Sequence, residues 1–144
     1  MLFRSGEWHD RLQRMIEENG LQQCACLHEP TSTIGDEYAD SSMLAMSSNY
    51  EGFPMVMIEA MASGLPVVSF DFQCGPKDII RDGENGLLVK NGDIEGLAQA
   101  LMRLMDDEAY RKCLSVNARK VVQTYSEEAV MKQWVSLFTT LASH

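Results

Sequence analysis

Apolar positions along this chain follow two rhythms, one of helix period and one of short unbroken runs. Over 8–19, Leu12, Met15 and Ile16 share one helical face, and Gly20 supplies the stop. A short helix is expected at 34–39, after a turn-rich stretch. The runs at 24–27 and 43–46 read as strands, and the lack of polar alternation at 43–46 suits a strand covered on both faces. The spacing predicts a helix over 54–63, with Pro54 at the first helical position and Gly64 past the end. The clearest strand is 66–70, with proline at its start, where a missing donor does least harm. A short helix is expected at 78–81, then turn chemistry over 82–86 and a last strand at 87–89. Asp93 caps a helix with Ile94, Leu97, Leu101 and Leu104 on one face. A further helix runs over 108–123, and Ser126 caps a final one whose Val130, Trp134, Leu137, Phe138 and Leu141 share a face.

Strands separated by helices require crossover connections, hence a parallel, doubly wound α/β sheet. Ligands of such sheets bind at the carboxyl ends of the strands. That puts the loops after Met46, Phe70 and Val89 on the working edge. The 144 residues suffice for one domain, and 45% apolar with 23% charged residues is a globular balance. The formal charge of −9 argues against a nucleic-acid partner. No apolar run approaches the roughly 18 residues of a spanning helix, and the first residues do not read as a signal peptide. Cys24, Cys26, Cys74 and Cys113 fit neither a zinc nor a CxxC spacing, so reduced, mostly buried cytosolic thiols are expected.

The loop and helix over 47–59 carry the candidate chemistry. Gly52 lets backbone approach a ligand closely. The helix from Pro54 turns its free N–H groups and positive dipole end toward the working edge, a ready anion site. Glu51 lies just before that helix and Glu59 about 7.5 Å along it. An ionised carboxylate is acceptor-only and can hold vicinal hydroxyls, such as those of a sugar or a ribose. Each glutamate also has an ordinary explanation: favourable dipole chemistry for Glu51, a solvated helix face for Glu59. Glu59 falls among Met55, Ile58, Ala60, Met61 and Ala62, and a carboxylate in so apolar a helix needs a partner. Lys77 sits on the working edge within reach of a phosphate or an acceptor, although a plain surface lysine is the commoner reading. His28 is assigned no role, and no Asp-x-Asp pair or histidine cluster points to a metal.

Glu51 and Glu59 form an E-x7-E pattern, followed by Glu59-Ala60-Met61-Ala62-Ser63-Gly64-Leu65-Pro66-Val67-Val68. Then come Gly75-Pro76-Lys77-Asp78-Ile79-Ile80 and Asp82-Gly83-Glu84-Asn85-Gly86-Leu87-Leu88-Val89. In this order and spacing the strings resemble the group 1 (family 4) retaining glycosyltransferases of the GT-B fold, which have two Rossmann-like domains. The similarity is weakest before Asp36 and is nearer to bacterial enzymes of surface polysaccharide synthesis than to starch or sucrose enzymes.

The resemblance implies the C-terminal, donor-binding domain of such an enzyme. It places Glu51 at the donor sugar near its reacting end, as the catalytic candidate. The backbone of Gly52, Phe53, Pro54 and Met55 would lie against the sugar and diphosphate, and Glu59 would accept from the nucleotide ribose. The implied reaction moves a sugar from a nucleotide-sugar donor to an acceptor hydroxyl with retention, on a glycan or lipid-linked glycan, with no metal and no other cofactor. The implied domain layout is a donor domain over 1–125 and a helix over 126–144 that crosses to the N-terminal domain. Against the family pattern, the N-terminal acceptor domain and the donor domain's first strand–helix unit have no counterpart in this chain. The expectation is therefore a fragment of a larger enzyme, or one of two chains that form one. Residues 1–7 resemble the tail of the second strand and its loop, and Arg4 does not match the Arg that clamps the diphosphate. A cytoplasmic location, at the inner face of the membrane through the rest of the enzyme or a partner, is expected. The alternatives are a non-catalytic nucleotide-sugar-binding subunit that needs a separate acceptor chain, or an inactive fragment.

Overall fold

A computed structural model describes residues 7–143, and the expected strand tail at the start lies outside them. The chain divides into two compact units, one up to Ile34 and one from Gly35 onward. In the first, α1 spans Glu7–Glu18. Its end is closed by bonds from Gly20 N to Glu17 O and from Leu21 N to Ile16 O, with Gly20 at a φ of 67°. Only glycine takes that torsion freely, so the predicted stop forms as expected. The expected strand at 24–27 does not form. Cys24 N and Ala25 N both bond Leu21 O, so a local turn takes the groups a strand would pair.

The second unit is built on a parallel sheet of order β1-β2-β3. After α2 (Ile34–Asp40), β1 is Leu44–Met46, β2 is Val67–Asp71 and β3 is Gly86–Lys90. The crossovers carry α3 (Met55–Ala62) and the short α4 (Pro76–Ile79). Val67, Val68, Ser69 and Phe70 are all buried, and successive strand side chains point to opposite faces, so β2 is covered on both. On one face Val68 and Leu87 join Leu104 of α5 (Ile94–Asp106) and Leu114 of α6 (Glu108–Ala118). A methyl at Gly86 would come within 2.8 Å of the Val67 carbonyl, so glycine lets β3 lie close to β2. β1 departs from expectation: Ala45 is exposed, and β2 is its one strand partner among the described residues.

The caps follow their chemistry. Asp93 accepts from Gly96 N at 2.9 Å and Asp107 from Tyr110 N at 2.8 Å, opening α5 and α6. The expected helix over 108–123 is broken by a 3₁₀ turn at Arg119–Val121 before α7 (Val122–Tyr125). Around the break, Ser115 Oγ donates to Gly64 O at 2.6 Å and Arg119 donates to Ser63 O, tying α6 to the end of α3. Ser126 caps α8 (Glu127–Ala142), as predicted, but α8 buries no side chain. The four cysteines are free and exposed, contrary to the expected burial. Cys24, Cys26 and Cys74 lie outside helices and strands, and Cys113 is on the solvent side of α6.

Candidate functional site

The loops that leave β1 and β2 are held together beyond the strand ends. Tyr50 and Gln73 form an isolated parallel bridge in line with the β1–β2 ladder. Gly75, at a φ of 133°, lies so close to Pro54 that a methyl on it would fall 2.6 Å from Pro54 Cδ. Pro54 is therefore the buried cap of α3, not its first helical residue: its ψ of 71° is not helical, and helical torsions begin at Met55. The start of α3 thus sits at the carboxyl edge of the sheet, fixed by the loop after β2, but its N–H groups are not all free as expected: Met55 N donates to Phe53 O and Met57 N to Pro54 O.

Glu51 is half-buried in the loop between β1 and α3, and its Oε1 accepts from Ser48 Oγ at 2.8 Å. The space above Gly52 is open, with nothing within 4 Å of where a methyl would stand. Phe53 is half in solvent and meets the Tyr125 ring at 6.0 Å between centroids. Along α3, Met57, Ile58, Ala60 and Met61 are buried, while Met55, Val56, Glu59 and Ala62 make an exposed stripe. Glu59 therefore reaches solvent from a helix of apolar sequence, and it is exposed where the sequence suggested crowding.

The expected partner of Glu59 is Tyr38 of α2, whose hydroxyl donates to Glu59 Oε2 at 3.2 Å. Tyr38 is only 7% exposed. Burial first, and then the Glu59 charge and hydrogen bond, push its phenol up to about 12. Sequence reasoning missed Tyr38 because 21 positions separate the pair and no periodicity links them. Ser48 was findable, three residues before Glu51 in the same loop.

Lys77, in the first turn of α4, pairs with Asp71 at the end of β2 at 2.8 Å. It is largely exposed, as the plain surface reading expects, and its partner is neither glutamate. It borders an open cavity of about 540 Å³ with Arg81, Asn117, Lys120 and Tyr125, and one of about 270 Å³ with Asp71, Gln73 and Gly75. Glu51 and Glu59 line neither. Residues 51–55 and 59 thus gather at the start and along the exposed stripe of α3, with Pro54 buried beneath them, and Lys77 stands in the first turn of α4.

A family model described as glycosyl transferases group 1 matches residues 5–121. An exopolysaccharide phosphotransferase of Streptomyces coelicolor is 38% identical over 143 residues, 99% of this chain and 15% of that protein. A poly(ribitol-phosphate) alpha-N-acetylglucosaminyltransferase of Staphylococcus aureus is 32% identical over 140 residues, 96% of this chain and 28% of that protein. A crystal structure of a TarM variant from S. aureus, in complex with fondaparinux, α-GlcNAc-glycerol and UDP, aligns with a TM-score of 0.87 and 33% identity. That alignment covers 94% of this chain and 28% of the other. The chain spans less than a third of the length of each of these proteins.

Proposed function

The chain belongs to the group 1 glycosyl transferases, and on that premise we propose that it is the nucleotide-sugar-binding part of a glycosyltransferase. The enzyme moves a sugar from a nucleotide-sugar donor to a hydroxyl of a glycan or lipid-linked glycan acceptor, in surface polysaccharide synthesis. Glu51 stands at the donor sugar near its reacting end. The backbone of Gly52, Phe53, Pro54 and Met55 lies along the sugar and diphosphate, whose charge suits the positive end of α3. Glu59 accepts from the ribose. Lys77 serves the phosphate or the acceptor. The reaction proceeds with retention and without a metal, the donor domain covers 1–125, and the helix over 126–144 meets an acceptor domain in the same or a separate chain. The work is done at the cytoplasmic face of the membrane.

One observation carries this reading. The two carboxylates flank the start of one helix at the carboxyl edge of a parallel sheet, each held on one oxygen by a hydroxyl, beside open surface at Gly52, Met55 and Val56. The S. aureus structure, a complex with UDP, supports a nucleotide ligand for this fold.

The test is a pair of substitutions in the intact protein. Glu51→Gln is expected to lower kcat for sugar transfer with little change in donor affinity, and Glu59→Gln to weaken donor affinity. Transfer should persist after treatment with EDTA, and NMR of the product should show the donor's anomeric configuration. Full transfer activity and donor affinity in both variants would contradict the assignment.

A further inference from the structure

Glu59 lies on the exposed stripe of α3, where a long carboxylate side chain has free rotamers to choose from. Its Oε2 is nevertheless engaged by the hydroxyl of Tyr38, a residue buried in the second unit and carried by a different helix, α2. Glu59 Oε1 has no hydrogen-bond partner among the described residues. One oxygen is thus tethered to a buried side chain of another helix, and the other is left to accept.

We propose that Tyr38 is a positioning residue for Glu59: its hydroxyl holds Oε2 and so presents Oε1 to a ribose hydroxyl of the donor. The inference rests on the donor-binding reading above. Fixing the carboxylate before binding removes part of the ordering cost that a free glutamate would meet in the complex. The same hydrogen bond would exist if Glu59 merely satisfied a buried phenol, so the roles must be separated by what each does to a ligand. A structural role predicts a change in melting temperature alone. A positioning role predicts a change in how strongly the site reads the ribose.

The experiment is a double-mutant cycle in the intact protein with Tyr38→Phe, Glu59→Gln and the pair. Binding of UDP-glucose, GDP-mannose and ADP-glucose is measured by calorimetry, and the tightest binder is compared with its 2′-deoxyribose and 3′-deoxyribose counterparts. Tyr38→Phe keeps the ring in the core and leaves Glu59 in solvent, and a thermal melt verifies that it folds. The expected result is an affinity loss of about five- to twentyfold, a smaller preference for the ribose over a deoxyribose ligand, and no added loss in the Glu59→Gln background. Wild-type affinity and ribose preference in Tyr38→Phe, with Glu59→Gln impaired, would overturn the inference and leave the donor reading standing. An equal loss from Tyr38→Phe with Glu59 already replaced would also overturn it, because Tyr38 would then act elsewhere. Undiminished affinity in Glu59→Gln, or no binding of any of the three sugar nucleotides, would remove the donor reading and this inference together.

Discussion

Gly75 carries two demands that no other residue meets. Its φ of 133° is strained for any side chain, and a methyl there would overlap Pro54, the cap of α3. Gly75→Ala should cost about 1–3 kcal/mol of stability and displace the helix start, which denaturant melts and ligand titration would both register. Tyr38 sets a pH dependence. Its phenol titrates at 10.0 ordinarily and at about 12 here, so between those values the unfolded chain releases a proton that the folded chain keeps. Stability should therefore fall as pH rises through that window, with no contribution below it. Tyr125, raised by burial and then by Asp78, acts in the same direction. Urea melts across pH 9–12 should show a shallower loss in Tyr38→Phe than in the wild type. At this scale the sequence exposed the two glutamates through spacing and the glycines through turn chemistry. It hid Tyr38 and Asp71, because their roles come from contacts between elements that no local pattern encodes.

Elements were legible where a cap and an apolar stripe agreed. Asp93 and α5 formed as read, and Leu104 packs with Leu114, Val68 and Leu87 in the core. Leu104→Ala or Leu114→Ala, each fully buried, should cost about 2–5 kcal/mol. Removing the Asp107 cap with Asp107→Ala should cost about 1 kcal/mol; chemical denaturation measures both effects. Reading failed where tertiary contacts decide. The run at 24–27 has strand composition, but a strand needs a partner, and its backbone closes a turn instead. The helix over 108–123 is periodic enough to run on, yet it breaks where Ser115 and Arg119 serve the carbonyls at the end of α3. α8, by contrast, has the predicted apolar face, with Trp134 and Phe138 stacked at 5.6 Å and half in solvent, as expected of a helix that crosses to another domain. Phe138→Ser should accordingly shift the stability of this chain by less than about 0.5 kcal/mol, readable as an unchanged denaturation midpoint.

At the scale of the molecule, the parallel sheet and the loops on its carboxyl edge were foreseen from the alternation of runs and helices. The expectation of a part of a larger protein agrees with the comparisons, in which this chain spans 15% and 28% of the two curated relatives compared. Among the described residues no helix is long and apolar enough to cross a membrane. The central claim is that the start of α3 and its two glutamates receive a nucleotide sugar. The most direct test is a thermal melt of the protein, alone and with UDP-, GDP- and ADP-sugars at millimolar concentration. The account predicts a cooperative transition raised by one nucleotide family, by about 2.7 kcal/mol of apparent stability at about 100 times the dissociation constant. A cooperative transition that no sugar nucleotide moves would contradict it.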